Sequence, residues 1–396
     1  MKVVYIADIG IEGGATKSLV ELVDTMKKEH GVEPIVLTSG YNRLNELLNA
    51  DGIENYAVGH GAFLQGAPVA AWKKPIKWGI FALSYYLHYA SSIRKALRLI
   101  DWKSVDLIHT NVARDDLGME LSKRTGVPNL CHIREFAELD FNCWSYRPRY
   151  VKYLAQNTNG FIAISEAVKR YWIAKGIPEN KIEVIYNGVD CQKIQPADHR
   201  KWADESIVKM VIVGGVIPNK GQYQAIEALC MLPESIRPYF RLDVIGGITK
   251  AYQRKLTEPL RKRGMENQVR FLGACSDVYD RLKDYQIGLM CSKAEGFGRV
   301  TVEYMHAGLL VIASDTGANP ELIQDRRTGL LYHRDDVKTL AQKMVYAWEH
   351  KDETAEIADR GKKEAAKYTK EKNAEEIFAQ YRKMKEWKSC ALDWKN

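Results

Sequence analysis

No run of roughly eighteen apolar residues occurs in the 396-residue chain, which argues against a membrane-spanning helix. The seven cysteines are scattered, odd in number and never spaced Cys-x-x-Cys. Neither a disulfide framework nor a structural zinc is indicated, and a reducing cytoplasm is the natural setting. No Asp-x-Asp pair is present. The first glycine-bearing loop holds Gly10, Gly13 and Gly14, which do not supply the Gly-x-Gly-x-x-Gly of a dinucleotide fingerprint. Thr16, not glycine, precedes Lys17, so the loop is no Walker A element either. The N-terminus, MKVVYIADIG, enters a strand directly and lacks a signal-peptide cleavage pattern. Residues 56–100 contain no Asp or Glu at all.

Apolar residues make up 46% of the chain and charged residues 27%, which fits an ordinary globular enzyme. The length predicts two domains of roughly 150–200 residues each. The net charge of +8 suits phosphate ligands, anionic lipid or neither. Short apolar runs alternate with helical stretches: 2–7, 34–38, 53–58, 107–110, 129–133, 160–164 and 182–185, then 210–213, 242–247, 269–272, 287–290, 309–313 and 330–332. That alternation predicts parallel α/β sheets. Ser165 is placed to cap a helix. Asn187-Gly188 reads as a turn. From Asp335 the pattern is helical to the end.

The acid-free stretch 56–100 has six Lys or Arg interleaved with Trp and Tyr, and a helical pattern over 80–100 ending in Arg94, Lys95 and Arg98. Such a mixture suits an anionic membrane surface, met mainly through 63–78. It also suits a helix packed on the sheet with cations at its C-terminal end.

The stretch 291–323, CSKAEGFGRVTVEYMHAGLLVIASDTGANPELI, carries the most chemistry. Glu295 and Glu303 bracket Gly296-Phe297-Gly298, and a helix should start after Gly298 and stop at Gly308. Glu303 is expected about two turns into that helix. Backbone amides around Phe297, Gly298 and Arg299 would face an anion. A second glycine-bearing loop, 316–319, follows the next strand. Two strand-to-helix turns of this kind line the crevice of an open parallel sheet. Carboxylates for hydroxyls and a helix N-terminus for phosphate together suit a nucleotide sugar.

The ordered run Glu-Gly-Phe-Gly, the second glutamate after seven residues, Ala-Gly four and five beyond, Val-Ile-Ala-Ser and Gly-x-Asn-Pro-Glu resembles the signature of the retaining glycosyltransferases of family 4. The resemblance covers nearly the whole chain, most strongly 160–332 and least 56–100 and 135–150. It implies a GT-B fold: an N-terminal Rossmann-like acceptor domain (1–190), a linker (191–206), a C-terminal donor domain (207–369) and a helix (370–396) crossing back. It implies transfer, with retention, of a hexose or N-acetylhexosamine from a nucleoside diphosphate sugar, a UDP-sugar first, to a saccharide or lipid-linked saccharide. No cofactor and no metal are implied, and no nucleic acid.

By the same resemblance Lys220 meets the donor diphosphate as a point charge. Glu295 bonds the donor sugar and Glu303 the ribose. His132 contacts the sugar or the acceptor, and Arg134 and Glu135 help hold the acceptor. Gly13 and Gly14 belong to the loop that approaches acceptor and donor phosphates. The family has arginine where this chain has Gly215, so one of two cations for the leaving diphosphate is missing; Arg299 is the candidate replacement. The same gap motivates a rival reading, a weakly active nucleotide-sugar-binding partner subunit. A second rival is a nucleotide-sugar epimerase of the same fold, which would lack the paired glutamates. The setting implied is surface polysaccharide or glycolipid synthesis at the inner face of the cell membrane.

Overall fold

The computed structural model describes residues 1–7, 13–66, 74–137, 143–197 and 206–393. It divides into two compact units, Met1–Gly188 with Lys370–Asn396, and Val189–Thr369.

The first unit is built on a parallel sheet of seven strands in the order β3-β2-β1-β5-β6-β8-β9. These are β1 (Lys2–Ile6), β2 (Glu33–Thr38), β3 (Glu54–Ala57), β5 (Leu107–Thr110), β6 (Asn129–Ile133), β8 (Gly160–Ala163) and β9 (Ile182–Val184). Alternation along β1 explains why its run is apolar throughout. Val3 and Tyr5 face a core shared with the helix Gly14–His30 and with Ala374, Ile377 and Tyr381 of the C-terminal helix Lys370–Asp393. Val4 and Ile6 face the opposite core, with Ile93, Ala96 and Ile100. Both faces are covered, as parallel sheets require.

Two features depart from the sequence reading. A small antiparallel pair, β4 (Leu64–Gly66) with β7 (Cys143–Ser145), was not anticipated; three-residue strands carry too little periodicity to register. The helix expected over 80–100 runs instead from Lys74 to Leu99. Its inner stripe of Ala82, Tyr85, Ser92, Ile93 and Ala96 is buried. Tyr85 Oη donates to both oxygens of Asp116, at 2.8 and 2.6 Å, and Arg147 Nε donates to the same carboxylate.

The second unit holds a parallel sheet of six strands in the order β12-β11-β10-β13-β14-β15. They are β10 (Val208–Val213), β11 (Phe240–Ile245), β12 (Val269–Gly273), β13 (Ile287–Met290), β14 (Leu310–Ser314) and β15 (Leu330–Tyr332). Of the expected linker 191–206, residues 191–197 group with this unit: Ala197 N donates to Ala307 O at 2.8 Å. Residues 198–205 lie outside the described residues. Among the described residues no helix is long and apolar enough to cross a membrane.

Candidate active site

In the second sheet the strand order reverses between β10 and β13, with β11 on one side of β10 and β13 on the other. Loops leaving the carboxyl ends of two such strands diverge, and ligands bind in the crevice between them. The loop after β10 carries Lys220; the loop after β13 carries Glu295. Lys220 Nζ donates to Glu295 Oε2 at 2.8 Å across 75 positions of sequence. A backbone bond from Lys293 N to Asn219 O, 2.8 Å, joins the same two loops. Gly221 permits the approach: its φ is +72°, and a Cβ there would stand 2.0 Å from Cys291 O.

A third loop, after β14, closes on the second. Ala318 N donates to Glu295 O at 3.0 Å, and Ser314 and Thr316 hydroxyls both donate to Ser292 O at 2.9 Å. A Cβ at Gly317, φ +56°, would meet Glu295 O at 2.0 Å. Asn319 bridges onward: its Nδ2 donates to Ser314 O at 3.0 Å and its Oδ1 accepts from Thr301 Oγ1 at 3.1 Å. The loop that carries Glu295 is therefore held from both sides, through Lys293 N on one and Glu295 O on the other.

The helix after this loop is Arg299–Ala307. The helix starts after Gly298 as expected, and Glu303, four residues past Arg299, lies one turn into it, not two. Phe297 is buried and meets Tyr368 edge-on at 5.8 Å between ring centres, so its side chain anchors the helix start and only its backbone is left to meet a ligand. An α-helical N-terminus presents amides without intrahelical acceptors and carries partial positive charge. Arg299 and Glu303 are both buried side chains one turn apart, with Nη2 3.8 Å from Oε1. Tyr279 Oη also donates to Glu303 Oε1, at 2.8 Å. Gly215, just past β10, has no heavy atom within 4 Å of where a Cβ would stand.

The remaining predicted residues form a second group in the first unit. His132 lies within β6 and is wholly buried, not a polar strand cap. Arg134 is buried too. Its Nε donates to Asn111 O and Oδ1 at 3.1 and 3.0 Å, its Nη1 to Asn187 Oδ1 at 2.7 Å, and its Nη2 to His132 Nδ1 at 3.1 Å. A guanidinium only donates, so His132 Nδ1 accepts and the ring proton sits on Nε2. That Nε2 has no hydrogen-bond partner among the described residues. Burial, the Arg134 charge and His109 hold the His132 pKa well below its ordinary value, so the ring is neutral. Glu135 is buried, and its carbonyl accepts from Trp172 Nε1 at 2.9 Å. Gly13 and Gly14 begin the first helix; the rest of their loop, 8–12, lies outside the described residues.

Three contributors escaped the sequence reading. Tyr279 comes from a separate four-residue helix, Val278–Arg281, with no motif. Asn111 and Asn187 hold Arg134 from two different loops, and only Asn187, in its Asn-Gly turn, had any local signal.

Two parallel-sheet units, the second with its loops gathered at a strand-order reversal, make a two-domain α/β protein with a ligand crevice at that reversal. Two family models match: "Glycosyltransferase Family 4" over residues 12–193 and "Glycosyl transferases group 1" over 195–364. The chain belongs to the glycosyltransferases of family 4 type, with the GT-B fold. It is 25% identical over 297 residues to the uncharacterized glycosyltransferase MJ1178 of Methanocaldococcus jannaschii, covering 72% of this chain and 77% of that one. It is 27% identical over 201 residues to the lipopolysaccharide core biosynthesis mannosyltransferase LpsB of Rhizobium meliloti, covering 48% and 55%. The fold superposes on Anabaena Alr3699/HepE, crystallised with UDP and glucose, with a TM-score of 0.76 and 20% identity over 97% of this chain and 100% of that one.

Proposed function

We propose that the chain is a retaining glycosyltransferase. It moves a hexose or N-acetylhexosamine from a nucleoside diphosphate sugar, a UDP-sugar first, to a saccharide or lipid-linked saccharide acceptor in surface polysaccharide or glycolipid synthesis. The contact between Lys220 and Glu295 carries the reading. It sets a cation and a carboxylate side by side at the strand-order reversal, beside a helix N-terminus. The lipopolysaccharide role in the name of LpsB and the UDP and glucose held by HepE support the substrate class.

In this reading the donor diphosphate takes Lys220 from Glu295, which then bonds a hydroxyl of the donor sugar. The bond from the anomeric carbon to the diphosphate oxygen breaks, and the acceptor oxygen bonds that carbon on the same face. The acceptor proton passes to the departing diphosphate. Lys220, Arg299 and the first turn of Arg299–Ala307 stabilise the charge that builds there, so no metal is needed. Glu303, steadied by Tyr279, holds the ribose hydroxyls. The neutral His132 donates from Nε2 to a sugar or acceptor hydroxyl, and Arg134 and Glu135 shape that neighbourhood.

The open space at Gly215 favours one second reading, a weakly active nucleotide-sugar-binding partner subunit. The deciding experiment is thermal-shift binding of UDP, GDP and ADP, then of the corresponding sugar nucleotides, followed by the anomeric configuration of any product by NMR. Saturation at about 100 times Kd should stabilise the fold by about 2.7 kcal/mol. Binding without measurable transfer or donor hydrolysis selects the partner-subunit reading. An inverted product overturns the retaining mechanism, and no binding to any nucleotide overturns the proposal.

A further inference from the structure

The helix Lys74–Leu99 is already secured by its inner stripe, yet its outer face is apolar. Ile80, Leu83 and Leu87 recur at i, i+3 and i+7 and are 63%, 62% and 68% exposed. Thirteen large apolar side chains stand exposed among the described residues, and five of them lie between Ile80 and Leu87. Scattered exposed apolar residues need no explanation, but a contiguous patch marks an interaction surface.

The same face continues into Arg94 and Arg98, with Lys95 at its border, all exposed. At 1.5 Å per residue these cations lie about 20–27 Å along the helix from Ile80. The helix dipole accounts for a cation in the last turn, which is Arg98. It gives no reason for Arg94 and Lys95 one turn earlier. No acidic residue occurs anywhere in Lys74–Leu99.

We propose that this outer face docks on an anionic lipid surface, with Ile80, Leu83 and Leu87 entering the headgroup boundary and Arg94, Lys95 and Arg98 meeting anionic headgroups. Charge decides the occupant. A single-sign cationic row continuous with an apolar toe matches an interface that is anionic at its surface and apolar just beneath. The surface differs from the one expected over 63–78. Phe63 and Leu64 are buried, and 67–73 lie outside the described residues. The inference stands apart from the proposed transfer reaction and uses none of the residues assigned to it.

The test is co-sedimentation of the full chain with vesicles of phosphatidylcholine containing phosphatidylglycerol, against phosphatidylcholine alone. Two variants accompany the wild type: Leu83→Glu with Leu87→Glu, and Arg94→Gln with Lys95→Gln and Arg98→Gln. Wild type should bind the anionic vesicles selectively, and molar salt should release it. The glutamate pair should abolish binding. The glutamine triple should weaken it on the order of a hundredfold at low salt. Nucleotide thermal shifts should be unchanged in both variants, which separates a docking failure from a failed donor site. Absence of wild-type binding to anionic vesicles overturns the proposal. So does unchanged binding of either variant. A wild-type dimer that Leu83→Glu separates, with no vesicle binding, would assign the face to a second copy of the chain instead.

Discussion

Lys220 and Glu295 stand 75 residues apart in sequence, and their charged groups meet at 2.8 Å. Their side chains are 36% and 15% exposed, so the pair is partly solvated. Pairs of that kind contribute about 0–1 kcal/mol to stability. Stability is therefore a poor account of why three loops are bonded together around it. Position is the better one: the contact holds a cation at the mouth of two neighbouring strands.

Lys220→Ala should accordingly separate function from folding. Turnover should fall on the order of a hundred- to a thousandfold, the usual loss when one donor to developing negative charge is removed. The thermal midpoint should barely move. Glu295→Gln keeps shape and loses charge, and should lower kcat more than donor affinity. Steady-state kinetics beside thermal unfolding checks both. A large loss of stability in Lys220→Ala with normal turnover would assign the pair to structure alone.

Gly215 offers a gain-of-function test. The space beyond its Cα is open, so Gly215→Arg should fold normally. A second cation there should tighten donor binding in the transition state by about 1.5–3 kcal/mol, the range for a hydrogen bond to a charged group. Arg299→Ala should do the reverse if Arg299 stands in for the missing cation. Comparing kcat/KM for wild type and the two variants decides this. Unchanged turnover in Arg299→Ala, with turnover abolished in Lys220→Ala, would leave Arg299 as only the ion partner of Glu303.

Most strands and the run of Glu295 to Glu303 were legible because they are local. Apolar runs bounded by glycine announce buried parallel strands, and Glu-Gly-Phe-Gly with its second glutamate is an ordered local pattern. What stayed hidden depends on tertiary placement. Nothing near Tyr279 says that its hydroxyl reaches Glu303. Nothing near Arg134, expected to help hold the acceptor, says that Asn111 and Asn187 hold it from separate loops. The apolar face of Lys74–Leu99 was invisible for a related reason. Its inner and outer stripes are both apolar over Ile80–Leu87, so periodicity could not tell which one the sheet covers.

Tyr279→Phe tests the newly found positioning residue. Losing one hydrogen bond to Glu303 should raise the donor KM about fivefold with kcat nearly constant, the cost of about 1 kcal/mol. Glu303→Ala should raise it further. If Tyr279 steadies Glu303, the effect of Tyr279→Phe should vanish in a Glu303→Ala background, which a double-mutant cycle reads directly.

Gly317 should be intolerant for a stated reason. Its φ is +56°, and an added Cβ would sit 2.0 Å from Glu295 O. Gly317→Ala should cost about 1–3 kcal/mol and displace the Glu295 loop. For a unit of this size that corresponds to a midpoint lower by roughly 2–12 °C. Gly215→Ala, in open space and outside the left-handed region, is the control and should stay within about 0.5 kcal/mol of wild type.

The first unit should lose stability in mild acid because of two buried histidines. Burial, with the Arg134 charge second, holds His109 down to about 3. His132 is held well below its ordinary value by burial, Arg134 and His109. Both stay neutral in the fold, while the unfolded chain protonates as pH falls through about 6.5. Their contribution is complete above that pH and is lost as pH falls toward the folded values. Each should cost up to about 1.4 kcal/mol per pH unit below 6.5. Denaturant unfolding between about pH 6.5 and 5 reads them together with Asp116, whose carboxyl burial pushes up to about 6 and which offsets part of their loss, so the histidine share is read from the difference between wild type and a histidine variant. His109→Asn should flatten the slope by about one proton. A slope left unchanged by His109→Asn would mean that this ring binds the same number of protons in the folded and unfolded chains, contrary to its burial.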